Sequence, residues 1–365
     1  MLKYIFLFLI VVHGLIHFMG FAKAFGYADL KNLTIPISKP IGLLWVSAAV
    51  LFLVSAVLYL MSKDAWWMVA PVAVLLSQSV IFMSWHDARF GSIANLIILL
   101  VAVAAWGSHS FSKQFSRDVK SMLSVNAAGR NDLLTENDIK DLPIAVQKYL
   151  RYASVLNKPR LSNMRIVFEG EMREKGKDWL RFRSVQYNFF DEPTRLFYMK
   201  AKMFGTEVPG YHRYMNKKAS MDIRLFGLIP VSRQSGTEMD YSETVTLFND
   251  MCLVAPASLI DKRISWETID SNSVKAVYSN GGISISATLY FNDKGQLVDF
   301  VSNDRYAIAE MKKYPFSTPV HEYKNTGDVN VLYRGDAVWE YPNEKFTYGK
   351  FILKSIEYNV TGFRE

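Results

Sequence analysis

Four apolar stretches, each long enough to cross a bilayer, fall in the first 110 residues of this 365-residue chain, and none falls after them. A helix needs roughly 20 predominantly apolar residues to span the hydrocarbon, and the stretches at about 4–25, 41–62, 65–85 and 92–110 have that length. The chain therefore reads as a four-helix transmembrane bundle over 1–110, a polar linker over 111–135, and a soluble α+β domain over 136–365. Gly26, Pro36 and Pro40 break the first connection, Lys63 and Asp64 form the second, and residues 86–89 the third. Such short connections make neighbouring helices antiparallel. Trp66, Trp67, Trp85 and Trp106 fall near span ends, where amphipathic rings favour the interface.

Residues 1–24 also have the basic start and the small residues Ala22 and Ala24 of a cleaved leader, but the apolar run is long for one and three more spans follow. Lys3, Lys63, Lys113, Arg117 and Lys120 lie on the side of both termini, against Lys23, Lys31, Lys39 and Arg89 opposite. The excess places the soluble domain in the cytoplasm. Cys252 is the one cysteine, so no intrachain disulfide forms. The net charge of +8 fits basic flanks against anionic headgroups. No clustered Lys/Arg run, zinc-finger spacing or RNP-like motif accompanies it, so nucleic acid is not an expected partner. The lipid bilayer is.

The spans carry polar residues at defined places. His13 and His17 are at i and i+4 and share one face of the first span, the third carries Ser77 and Gln78 and ends at His86 and Asp87, and the fourth begins with Ser92 and Asn95. Polar groups in a span turn inward and find partners. Hydrogen bonding across the bundle satisfies this. The sharper alternative is an intramembrane metal, haem or redox site built on His13, His17 and His86, since two histidines at i and i+4 are a ligand spacing.

In the soluble part, apolar residues at three- to four-residue intervals over 144–156 predict an amphipathic helix. Beyond residue 160 the period becomes two, over 165–172, 179–189, 196–203, 282–291 and 351–360, with turn residues between. That pattern predicts antiparallel hairpins with one buried face, about ten strands in all, interrupted by one helix over 242–259. A sheet of that size curls to bury its apolar side. Phe197, Met199, Ile285, Leu289 and Trp339 are the expected inward set, a Met- and aromatic-rich lining that suits an apolar ligand. Arg181 and Arg183 are placed at its rim, to meet an anionic headgroup.

Catalytic patterns are not evident, and no cofactor is expected. Glu169 and Glu171 read as a solvated strand face, and Asp240 and Glu243 as first-turn charges preceding the internal helix. His212 and His321 stand without a nucleophile elbow, and no P-loop or dinucleotide fingerprint follows any strand. The chain reads as a membrane-tethered module for a lipid or other apolar molecule.

The hairpin over 288–301 (Thr-Leu-Tyr-Phe-Asn-Asp-Lys-Gly-Gln-Leu-Val-Asp-Phe-Val) resembles one that recurs in LolA/LolB-like lipoprotein carriers. That likeness covers residues 161–361 and implies a half-barrel of antiparallel strands over a lipid-binding cavity. Residues 10–17 (Ile-Val-Val-His-Gly-Leu-Ile-His), 142–150 (Leu-Pro-Ile-Ala-Val-Gln-Lys-Tyr-Leu), 227–231 and 236–240 resemble an uncharacterised family of bacterial membrane proteins of unknown function. The likeness implies a bacterial inner or plasma membrane location and no particular activity.

Overall fold

The computed structural model describes residues 2–125, 132–203, 206–327 and 329–364. The chain divides into two compact units, residues 1–110 and 111–365. The first is helical: α1 (Leu2–Ala24), α2 (Lys39–Leu60), α3 (Trp66–Met83), a single turn α4 (Trp85–Ala88), and α5 (Gly91–Val125), whose residues 111–125 belong to the second unit. Four of these, α1, α2, α3 and α5, are long and apolar enough to cross a membrane. Pro40 opens α2, where its missing N–H is not needed. Two glycines set the approach of α1 to α2. A Cβ on Gly20 would overlap the Trp45 ring, and one on Gly42 would overlap Ala24. Ile10, Phe52, Ala70, Ala73, Val74 and Ile98 form the bundle core, whereas Phe8, Leu15, Leu75, Leu96 and Leu100 are exposed, as a lipid-facing surface requires.

The second unit adds α6 (Glu136–Ile139) and α7 (Ile144–Tyr152), then β1 (Asn163–Met172), β2 (Leu180–Phe189), β3 (Thr194–Met203), β4 (Thr206–Met215), β5 (Lys218–Leu225) and β6 (Ile229–Ser235). Helix α8 (Thr237–Val254) and a 3-10 turn (Pro256–Ile260) follow. The chain continues through β7 (Ile264–Thr268), β8 (Ser273–Asn280), β9 (Ile283–Phe291), β10 (Leu297–Ser302), β11 (Tyr306–Ala307), β12 (Lys312–Lys313), β13 (Phe316–Ser317), β14 (Val320–Thr326), β15 (Val329–Tyr341) and β16 (Glu344–Tyr358).

Among the described residues fourteen strands join one sheet, in the order β6-β5-β4-β3-β2-β1-β16-β15-β13-β10-β9-β8-β7, with β14 paired to β15 off that path. Every pairing is antiparallel. The class matches the expectation. The strand count exceeds it by about four; the two-residue β13 and the polar β14 are among the strands too short or too polar to show alternation. The sheet curls into a half-barrel around α8, which touches β3, β4, β5 and β6 on one arm and β9, β10 and β15 on the other. Curling buries apolar area that a flat sheet of this width would leave wet.

Helix α8 is two-faced. Val245, Phe248 and Met251 enter the apolar core, with Phe248 stacked on Tyr278 and edge-on to Phe300. Asp240, Glu243 and Thr244 are also buried. The helix therefore begins at Thr237 rather than 242, and Asp240 and Glu243 lie inside it rather than before it. Gly236, with φ 107, forms its entry.

The polar linker expected at 111–135 is corrected in part. Residues 111–125 are helical and carry a stripe, Phe111, Phe115, Val119 and Met122, that packs on the outer face of β2, β3 and β4 against Tyr187, Leu196, Tyr198 and Tyr211. The charged residues between these positions hid the four-residue spacing. Residues 126–131 of that linker lie outside the described residues.

A fragment beginning at Phe111 should therefore stay monomeric in water, and one beginning at Leu133, which bares the outer cluster, should self-associate and bind an apolar dye. Size-exclusion chromatography and dye fluorescence check this; identical behaviour of the two fragments would contradict the packing role of 111–125.

Candidate functional site

In the helical unit the two histidines meet as expected of a bundle interior, and both are buried. His17 Nδ1 lies 2.7 Å from the His13 carbonyl, an acceptor only, so Nδ1 carries the proton. His17 Nε2 is then free to accept from Ser77 Oγ at 2.8 Å. Ser77 in turn accepts from Asn95 Nδ2 at 2.9 Å, and Asn95 Oδ1 accepts from His13 Nε2 at 2.9 Å. Asn95 also donates to Gln78 Oε1, and Gln78 to Ser92 Oγ. The chain of bonds ties α1, α3 and α5 together. His86 is not brought to the pair. It is exposed and contacts Asp87, whose carboxylate accepts from the Thr34 and Ile35 N–H groups. Among the described residues no three His, Cys, Asp or Glu side chains cluster as a metal site.

In the half-barrel, Phe197, Met199, Ile285, Leu289 and Trp339 are all buried in one apolar cluster with α8. Phe197 lies under the Arg195 guanidinium and edge-on to His212. Trp339 packs on Phe316 and Tyr348, with Arg305 against all three rings. The five point inward but are packed against neighbours. Arg181 and Arg183 turn outward, because Phe182 between them faces the core. They sit opposite Glu171 and Glu169 on β1, and Arg183 pairs with Glu169 at 2.7 Å. His321 pairs with Asp336 at the surface.

Two features escaped sequence reasoning. The first is a buried charge cluster where α8 meets β2, β3 and β4. Arg195 donates through Nε to Asp250 at 2.8 Å, through Nη1 to Glu243 at 3.0 Å and through Nη2 to Gln186 at 3.1 Å. Gln186 and Asn188 also donate to Asp250, and His212 Nδ1 is 3.1 Å from Glu243. Burial alone would raise the Glu243 pKa, but Arg195 and His212 outweigh it and hold the carboxyl at about 2. The seven-residue spacing of Glu243 and Asp250 on one helical face was the available signal.

The second feature is the mouth of the half-barrel. The β4–β5 turn at Asn216 and Lys217 and the β8–β9 turn at Gly281 and Gly282 all have positive φ, at 53, 65, 63 and 84°. Both are two-residue turns of the mirror-image kind that suit strand twist. They meet although β4 and β8 are remote in the sheet order. Asn280 Nδ2 donates to the Tyr214 hydroxyl at 2.8 Å, and a Cβ on Gly281 would come within 2.7 Å of the Lys217 side chain. Only glycine permits that closure.

Beside it opens a groove of about 690 Å³, lined by Asp191, Glu192, Thr194, Asn216, Lys217, Arg263, Ser279 and Asn280 among others. Arg263 is braced by Asp261 and by the Phe190 carbonyl. Burial raises the pKa of Tyr278, two residues before Asn280 on the same inward face of β8. Its hydroxyl is buried without a hydrogen-bond partner among the described residues.

Glu243→Gln should destabilise the β-unit by ~3–5 kcal/mol, because it leaves Arg195 short of one buried counter-charge. Since the folded pKa of Glu243, about 2, lies below its usual 4.5, its contribution is complete above pH 4.5 and is lost as pH falls toward 2. Thermal midpoints recorded across that window should fall less steeply in the variant than in wild type; equal slopes would show that the cluster does not hold the fold.

No curated protein matches the chain. A LolA superfamily protein from Nitrosomonas europaea resembles it at 7% identity and a TM-score of 0.36, over 60% of this chain and 95% of that one. Residues 132–351, more than half of the chain, match a family of unknown function, and the chain accordingly belongs to that family, DUF6544.

Proposed function

We propose that this protein is a membrane-tethered binding module for a lipid or similar amphipathic molecule, and that the half-barrel grips its ligand by the polar head at the mouth. The observation that carries the reading is the groove of about 690 Å³ at the mouth, lined by the turns at 191–194, 216–217 and 279–281 and by Arg263. The volume falls within the range of small-molecule sites. Lys217 and Arg263 offer positive charge, and Asp191 and Glu192 negative charge, along the same groove. That mixture suits a head with a phosphate or carboxylate beside a cationic or hydroxyl group. The four apolar helices hold the module at a bilayer, where such molecules are concentrated.

Titration of the full chain with a fluorescent phospholipid tests the reading. Saturable binding is expected. Lys217→Glu, at an exposed turn, should weaken it about tenfold, or about 1.4 kcal/mol, without lowering stability. Tyr278→Phe keeps the stacking on Phe248. It should raise the unfolding midpoint by removing the unpaired buried hydroxyl, and leave binding unchanged. Absence of saturable binding, or wild-type affinity in Lys217→Glu, would overturn the proposal.

A further inference from the structure

Strand β5 runs away from the mouth and ends in a hairpin whose tip is apolar and exposed. Leu225 pairs with Ile229 across a three-residue loop, in which Phe226 and Gly227 have φ of 55 and 67°. Phe226 is 37% exposed, Ile229 58% and Val231 57%. A left-handed backbone is unfavourable for phenylalanine, so an aromatic ring is held at the surface in spite of local preference. Strand β6 is one edge of the sheet, and Pro230 on it lacks the N–H that would recruit another strand. The tip is thus an apolar knob on an edge blunted against strand pairing.

Its surroundings indicate what covers it. Arg224, opposite Pro230, stacks on the Phe111 ring at 5.0 Å and pairs with Asp222. Arg233 pairs with the same Asp222, so two arginines share one carboxylate. Phe111 is the first residue of the β-unit and follows by one peptide bond the last residue of the apolar helical unit. Lys113 and Arg117 are exposed on the first turns beyond it. The knob therefore stands at the end of the β-unit where the chain arrives from its fourth apolar helix, amid surplus positive charge. An apolar tip flanked by Arg224 and Arg233 on its own hairpin, with Lys113 and Arg117 exposed on the incoming helix, fits the boundary between acyl chains and anionic headgroups.

We propose that the tip of the β5–β6 hairpin, through Phe226, Ile229 and Val231, inserts into the interface of the bilayer that α5 crosses, with Arg224, Arg233, Lys113 and Arg117 among the headgroups. The insertion gives the β-unit a second attachment besides its covalent one. It requires only that α5 crosses the membrane and is independent of what the mouth binds.

Nitroxide accessibility in the full chain tests this. Cys252, the one cysteine, is buried, so a label goes to the introduced site. Ile229→Cys and Val231→Cys alter exposed side chains, and Lys262→Cys, exposed near the mouth end, is the aqueous reference. In vesicles of phosphatidylcholine and phosphatidylglycerol, the labels at 229 and 231 should collide with oxygen and show a several-fold lower collision rate with an aqueous nickel chelate than the label at 262. Nickel access equal to the reference overturns the proposal. Shielding accompanied by spin–spin broadening that disappears on dilution with unlabelled chain also overturns it, and assigns the tip to contact between copies.

Discussion

Arg195 fixes the half-barrel. It leaves β3 on the inward face and binds two carboxylates of α8, Glu243 and Asp250, which lie two helical turns apart. Removing three charged groups from water is expensive, and apolar packing of equal volume often stabilises as much. What the ion cluster adds is register: the guanidinium fork admits the helix at one height and one rotation. Gln186 and Asn188 donate to the same Asp250 oxygen, Oδ2, as Arg195 Nε, and His212 meets the second oxygen of Glu243. Once α8 is set, Phe248 reaches Tyr278 and Phe300 on the opposite arm. The two arms of the sheet are thus held to one helix by different chemistry, ionic on one side and apolar on the other.

The mouth follows from that placement. Thr244 on α8 contacts the Tyr214 hydroxyl, which accepts from Asn280, so one bond chain runs from helix to β4 to β8. Asp240, one turn earlier, accepts from the Ala219 N–H and from Lys218 and so pins the start of β5. The turns at 216–217 and 281–282 are brought together by these contacts, and the groove is the space they leave. Its polarity has a simple origin: hairpin turns carry unpaired backbone groups and the residues that tolerate positive φ, so the open end of a curled antiparallel sheet is polar while its interior is apolar. An amphipathic ligand has the same division.

Much of this architecture was legible in the sequence because it depends on local period. Four long apolar runs give the helical unit, and alternation over 165–172, 179–189, 196–203, 282–291 and 351–360 gives β1, β2, β3, β9 and β16. The parity of a strand was legible as well, but not which parity faces inward. Alternation puts Phe182 on the face opposite Arg181 and Arg183, and only the packing of Phe182 shows that the arginines point out. The stripe at Phe111, Phe115, Val119 and Met122 was obscured by Lys113, Arg117, Asp118 and Lys120. The mouth was beyond reach for a deeper reason. Tyr214 and Asn280 are 66 residues apart and on strands that are not sheet neighbours, so no local pattern joins them. The charge cluster likewise draws on β2, β3, β4 and α8 at once.

Hydrogen–deuterium exchange on the full chain, with and without added phospholipid vesicles, addresses the mouth most directly. Amides of the turns at 216–217 and 281–282, and of 191–194 beside them, should slow on lipid addition, with α8 already protected in both states by its burial. Unchanged exchange at all three segments, with slowing confined elsewhere, would contradict ligand capture at the mouth.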